Sequence, residues 1–412
     1  MAYVSISDRG MITAISEKYF DDTVEIPGPA DKSLLGKRMI HKTDKLRVAV
    51  ICNWGQNCGI STYAKYLVDS LRPRVSELKI FSEHGVEASE VVEPCWRRGE
   101  SMHEAIKKVQ EWKPDFVLIQ HEFGIFPKAP YLLQMLQMLD DIPYAVVLHS
   151  TYEHLDKSVC TSAMKRLIVH TDVAKGILRK LGNLGDIHVI PHGCVQFPDR
   201  DRLWNIYQTE HVIVQFGFGF FYKGVDRAID AIKILKDSYP DKYDGEKDKI
   251  FYCYYCSESG HCKNIHNEYM SYLMKKVEGL GLRDNVVVIK KYNSDQEVNN
   301  ILRTAKMAIF PYLINKDNMV YGASGAIRVA MANGLPVLAS ESHLFDELPV
   351  PRPDSAQALS DEIHRIFSDC SHKERLVAAQ DDYVLDNNWG SVADRYVETM
   401  NQIRNENNYV LE

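Results

Sequence analysis

A chain of 412 residues exceeds what one hydrophobic core commonly organises, so two domains of ordinary size are expected. Hydrophobic residues at 45% and charged residues at 25% fit a globular chain in water. The formal net charge of −7 excludes a broad basic nucleic-acid footprint, though it leaves room for a local basic groove. No stretch approaches the ~20 apolar residues of a membrane span, and Asp8, Glu17 and Lys18 stand where a signal peptide needs an apolar core, so a cytoplasmic location is expected.

Residues 1–45 read as an N-terminal extension of unclear role, with DTVEIPG (22–28) suggesting a short strand and turn. From Leu46 the pattern becomes regular. LRVAVICNW is an apolar strand, GQNCGIST a glycine-containing loop, and YAKYLVDSLRP an amphipathic helix with Tyr63, Tyr66, Leu67 and Leu71 on one stripe. Strands follow at SELKIFS, DFVLIQHE, PYAVVLHS, MKRLIVHT and DIHVIPHG, with helices at 101–112, 129–139 and over VAKGILRKLG. Continuous apolar strands alternating with helices predict a parallel sheet covered on both faces, over 46–198.

The polar run PDRDRLWNIYQTE reads as a linker, and a second alternating series occupies 199–385. Its strands are HVIVQFGFG, KIFYCYYC, NVVVIKKY, MAIFPY and PVLAS; its helices cover VDRAIDAIKILKDSYP, 266–280, DQEVNNILRTA and 326–333. The tail over 386–412 is an amphipathic helix with Trp389, Val392, Tyr396, Met400 and Ile403 on one face. Two doubly wound, Rossmann-like α/β domains facing a central cleft are therefore expected, with ligands at the carboxyl ends of the strands.

Nine cysteines scattered through strands suit reduced, buried thiols. Cys253, Cys256, Cys262 and His266 have the residue types of a zinc site, but FYCYYC reads as a strand on which both thiols cannot face one way. Asp199 and Asp201 form a lone DxD in the linker, better read as a solvated loop. No metal is expected.

The stretch YGASGAIRVAMANGLPVLAS begins a helix among residues that offer little but backbone. A helix N-terminus carries unpaired N–H groups and about half a positive charge, so Ser324, Gly325 and Ala326 make a candidate phosphate cradle. A tight glycine turn for helix–sheet packing explains the same residues equally well. FGFGFFYKGVDRAI places Lys223 and Gly224 at the same sheet end, and Gly59 stands in the first domain's glycine loop. Glycines 217, 219 and 224 do not fit GxGxxG, so no dinucleotide fingerprint is present.

Several segments, in this order, resemble the retaining glycosyltransferases of family 4, whose two-domain fold is called GT-B. They are Asn57-Cys58-Gly59, PYAVVLHS ending near His149, IHVIPHG with His192, FYKGVDRAIDAIKIL, SGAIRVAMANGLPVLAS and NWGSVADRYVETM. The resemblance runs from about Leu46 to about Ile403. It implies that Lys223 neutralises a donor diphosphate, that the backbone of Ser324, Gly325 and Ala326 completes the cradle, and that Gly59 closes on the same phosphates. It places His149 near the transferred sugar, with His121 and Glu122 toward the acceptor. It also implies the final helix packs back on the first domain.

Two glutamates usual in that family, at the donor sugar and at the nucleotide ribose, correspond here to Tyr321 and Val329, and phenylalanines precede the Lys-Gly pair where a basic residue is common. Arg328 and Asp317 are polar neighbours without an assigned role. The resemblance implies a metal-independent retaining transferase with a UDP-sugar as the default donor and no other cofactor. The acceptor is a glycan, lipid or small molecule bearing a hydroxyl. Three rivals stand beside it: a viral-type transferase acting on hydroxymethylated DNA bases, a sugar-nucleotide-binding protein without catalysis, and a sugar-nucleotide epimerase. The oligomeric state is not legible.

Overall fold

The computed structural model describes residues 4–6, 12–15, 45–154, 164–245, 248–257, 263–316 and 319–410. DTVEIPG, Cys262 and Asp317 lie outside the described residues. In the N-terminal extension β1 (Val4–Ile6) and β2 (Ile12–Ile15) pair antiparallel.

The first large sheet contains β3 (Arg47–Cys52), β4 (Glu77–Glu83), β5 (Val92–Trp96), β6 (Phe116–His121) and β7 (Tyr144–Leu148). After a short strand outside it, β8 (Ser150–Tyr152), come β9 (Arg166–Val169) and β10 (Asp186–Val189). The order is β10-β9-β7-β6-β3-β4-β5, every pairing parallel. Residues of β6 and β7 are buried along their whole length, as strands covered on both faces must be. Alternation divides them: Ala49, Ile51, Val117 and Ile119 enter one core layer, while Val48, Val50, Phe116 and Leu118 enter the other.

The second sheet comprises β11 (Val212–Phe218), β12 (Phe251–Ser257), β13 (Val286–Lys290) and β14 (Met307–Phe310). Past the short β15 (Val320–Gly322) it gains β16 (Val337–Ala339). Its order is β13-β12-β11-β14-β16, again all parallel. Two doubly wound parallel-sheet domains are thus present, as the alternating pattern predicts. Cys253 and Cys256 fall in the two different core layers of this domain, on opposite faces of β12. Among the described residues no group of side chains has the makings of a metal site. No helix of the described residues is long and apolar enough to cross a membrane.

Two features join the halves. The helix Trp389–Val410 inserts Trp389, Val392, Tyr396, Met400 and Ile403 into the first domain's core beside Leu67 and Leu71, and its Tyr396 hydroxyl meets that of Tyr63 at 2.8 Å. Where the chain crosses between domains, the Cys194 N–H donates to Asn387 O (2.7 Å) and the Trp389 N–H to Cys194 O (3.2 Å). A Cβ on Gly193 would lie 2.3 Å from the Trp389 ring, so this crossing demands glycine. Second, β8 and β15 pair antiparallel across the domains, with Tyr321 opposite Thr151 and Gly322 opposite Ser150.

Candidate active site

The carboxyl ends of both sheets open onto one cavity of about 950 Å³. Its lining draws on both domains. Gly59, Glu122 and His149 come from the first, and Lys223, Ser324, Gly325 and Ala326 from the second. Seven residues singled out from the sequence therefore share one space at the position where open α/β sheets bind ligands.

On the second-domain wall, β11 ends and the chain makes a short 3₁₀ turn, Phe221–Lys223, before the helix Val225–Ser238. Gly224 sits between them at φ 64°, and a Cβ there would lie 1.8 Å from Pro311 O. That close approach fixes where Lys223 starts. Its Nζ donates to the Tyr312 hydroxyl at 2.7 Å and lies over the Tyr312 ring (4.0 Å) and the Tyr222 ring (4.9 Å). Burial opposes the charge, but the Tyr222 and Tyr312 hydroxyls outweigh it and leave the ammonium above its ordinary pKa. The Tyr312 hydroxyl lies 3.4 Å from Ser324 Oγ, linking the lysine to the start of the helix Gly325–Ala332.

Ser324 is the N-cap of that helix, yet its side chain makes no capping bond. The first-turn N–H groups thus lack the usual side-chain partner at the cavity wall, where an anion would satisfy them. Beneath them the fully buried Arg328 donates to Ser324 O (2.8 Å), to Glu347 and to the Tyr383 hydroxyl (3.2 Å). Its guanidinium is held by the protein itself, paired with the Glu347 carboxylate. A Cβ on Gly325 would stand 3.2 Å from His192 Nε2, so the imidazole closes the floor.

The first-domain wall is built from the loop after β3. The Cys58 sulfur accepts from the Ser61 N–H (3.4 Å) and caps the helix Gly59–Leu71. Gly59 is exposed, and among the described residues a Cβ there would meet nothing within 4 Å. Glu122 follows β6 directly. Burial raises its carboxyl pKa, even though Ser150 and the Phe123 N–H donate to it.

His149 follows β7 and is 7% exposed. Its Nε2 lies 2.8 Å from the Gln120 side-chain amide and its Nδ1 lies 3.3 Å from His170 Nε2; His170 Nδ1 faces Ile190 O at 3.0 Å. Burial, reinforced by the neighbouring imidazoles, holds His149 well below its ordinary pKa, and burial holds His170 at about 4. Gln120 presents Oε1 to His149, so His149 carries its proton on Nε2 and donates there, while its Nδ1 faces His170 Nε2. Both ring nitrogens of His149 are thereby engaged.

His121 does not line the cavity. It is fully buried, stacked on Phe126 (5.6 Å, 7°) and edge-on to Phe123, and among the described residues neither nitrogen has a hydrogen-bond partner. Tyr321 is also absent from the lining; its ring packs in the first domain's core, and its hydroxyl reaches Glu153 at 3.4 Å. Val329 does line the cavity, with an apolar side chain where the resembled family carries a ribose-binding glutamate. Asp199 pairs with Arg303 at 2.7 Å, away from the cavity.

Two further sets of lining residues are not singled out by the sequence. Phe216, Phe218, Phe220 and Tyr222 form an aromatic wall, whose signal was the run FGFGFFY itself. Ser342, His343 and Leu344 enter from the loop after β16, for which the sequence carried no periodic signal.

No protein-family model matches the chain, and no curated protein matches it. Solved structures do. The chain is similar to a trehalose-6-phosphate synthase, OtsA, at 11% identity over 86% of this chain and 99% of that one, with a TM-score of 0.69. It is similar to the Anabaena protein HepE, solved in complex with UDP and glucose, at 14% identity over 86% and 99% of the two chains, with a TM-score of 0.62. It also resembles a UDP-forming α,α-trehalose-phosphate synthase from Burkholderia xenovorans, solved with glucose-6-phosphate, at 9% identity over 86% and 99%, with a TM-score of 0.67. At such identities the likeness is one of fold, and that fold is GT-B.

Proposed function

We propose that this chain is a retaining glycosyltransferase that moves a sugar from a nucleoside-diphosphate donor, a UDP-sugar by default, to a hydroxyl acceptor in the interdomain cavity. One observation carries the reading: the Lys223 ammonium, tied through Tyr312 to Ser324, stands with an uncapped helix N-terminus on the wall of a cavity shared by two GT-B domains. Proteins with the same fold have been solved with UDP and glucose and with glucose-6-phosphate, which supports the donor class.

The diphosphate would lie against Lys223 and the N–H groups of Gly325 and Ala326, with Gly59 approaching from the opposite wall. These groups meet the negative charge that grows on the phosphate as the glycosidic bond breaks, so their stabilisation is larger in the transition state than in the ground state. They fill the charge-stabilising role that a metal fills elsewhere. The aromatic wall offers flat apolar surface to a base or sugar ring. Glu122, Asp226 and Asp295 also line the cavity. Three carboxylates suit the hydroxyls of an uncharged acceptor better than the phosphates of a DNA duplex.

Incubation with UDP-glucose and a panel of glycan, lipid and small-molecule alcohols tests the reading. Release of UDP together with a product keeping the donor's anomeric configuration is expected. Nucleotide binding without turnover on any acceptor would assign the chain to a non-catalytic binding protein; donor conversion without acceptor would make it an epimerase.

A further inference from the structure

The loop after β16 carries a histidine that no part of the foregoing account uses. His343 lines the cavity, 31% of its side chain exposed, and packs its ring 4.8 Å from that of Tyr321 at the seam where β15 meets β8. Its Nδ1 lies 2.7 Å from Asp346 Oδ2. The other oxygen of Asp346 accepts from Arg352 Nη2 at 2.9 Å, and the same guanidinium donates to Ser340 O (3.0 Å) and Ser342 O (3.3 Å). Phe345 and Leu348, both buried, pin the loop to the second domain's core.

Each contact constrains the next. Arg352 fixes the carboxylate, the carboxylate fixes the proton of the imidazole on Nδ1, and the lone pair is left on Nε2. No bond is found for Nε2 among the described residues, and the ring borders the cavity. A base oriented by a third group and open to a ligand space is the arrangement general-base chemistry needs. His149 lacks it, since both of its nitrogens are engaged.

We propose that His343 is a catalytic residue of the transfer, taking the proton of the acceptor hydroxyl, with Asp346 and Arg352 as its positioning residues. The inference rests on the transferase reading. In this step the acceptor oxygen bonds to the anomeric carbon on the face from which the diphosphate departs, so the configuration is kept, as the bond from that carbon to the diphosphate oxygen breaks. The electron pair leaves on the phosphate, held by Lys223, and the hydroxyl proton passes to His343 Nε2. The imidazolium so formed is stabilised by Asp346.

The test measures nucleoside-diphosphate release from UDP-, GDP-, ADP- and TDP-glucose, with alcohol acceptors and with water alone, beside the melting temperature with each free diphosphate. His343→Gln and His343→Asn should keep the unmodified chain's diphosphate-induced stabilisation and lose about 10²–10⁴-fold in turnover. Asp346→Asn should lose about 10-fold or more, because the imidazole proton is no longer held on Nδ1. Asn at position 343 can still pair with Asp346 but cannot take a proton. Turnover near that of the unmodified chain in His343→Asn would therefore overturn the proposal even if His343→Gln were damaged. If the unmodified chain neither binds a diphosphate nor releases one, the transferase reading itself fails, and this inference with it.

Discussion

Gly59 and Gly224 stand at the starts of two helices that face the same cavity, yet they are glycine for different reasons. At Gly224 the backbone is left-handed and a Cβ would collide with Pro311 O, so the fold itself excludes any other residue. At Gly59 nothing among the described residues comes within 4 Å of an added Cβ, and no left-handed φ is required. Glycine at a helix start without a structural reason costs helix stability relative to alanine. The contrast separates a wall shaped by the protein's own packing from a wall shaped for a molecule that approaches its backbone.

Breaking the packing side should produce the largest effect. Gly224→Ala places a Cβ against a carbonyl oxygen at positive φ, and denaturant unfolding should show a loss of about 3–5 kcal/mol or no folded protein. A fully stable Ala variant would show that the turn before the second domain's first helix is not held as described.

His121 offers a second packing-side test, through pH. Burial holds its pKa at about 4, below the ordinary value of 6.5, so the folded state binds fewer protons than the unfolded state between those values. Stability is then lost as pH falls from about 6.5 through about 4, by about 3 kcal/mol from this group. His121→Phe, between Phe123 and Phe126, should flatten that part of the stability profile. An unchanged acid slope in the variant would mean the imidazole is not buried as a neutral ring.

On the ligand side, Lys223→Ala should weaken diphosphate binding about 10–100-fold by calorimetry, the worth of one charge-assisted contact, while the fold survives. Unchanged affinity would remove the central residue of the cradle. The smallest effect is expected at Gly59. Gly59→Ala should leave stability unchanged or raise it by up to about 1 kcal/mol, yet weaken the ligand severalfold. Equal affinity in that variant would leave the glycine unexplained.

The sequence made much of this legible, because continuous apolar strands such as RVAVIC, FVLIQH and YAVVL announce a buried parallel sheet without any tertiary information. The Lys-Gly turn and the SGAIR helix start were visible for a similar reason, since small residues at a helix N-terminus have a local meaning. What escaped depends on distant partners. The three-residue strands β8 and β15 become strands only by meeting each other across 170 positions of sequence, Thr151 to Tyr321. VEPCW, with a proline inside it, reads poorly as a strand and is tolerated because β5 is at the sheet edge. His121 and His149 both end apolar strands in the sequence; which one faces the cavity is decided by the Phe123 and Phe126 rings. The His343–Asp346–Arg352 chain lies in a loop whose order comes from hydrogen bonds no periodicity encodes.

That the cavity receives a nucleoside diphosphate can be checked by the melting temperature of the unmodified chain with UDP, GDP, ADP, TDP and CMP, each well above its expected dissociation constant. Binding at 100 times that constant stabilises the folded state by about 2.7 kcal/mol. This placement of the diphosphate requires a rise of several degrees with one diphosphate, UDP by default, and less with CMP, which lacks the second phosphate. No rise with any diphosphate would contradict it, and would leave Lys223, Tyr312 and Ser324 as a packing arrangement alone.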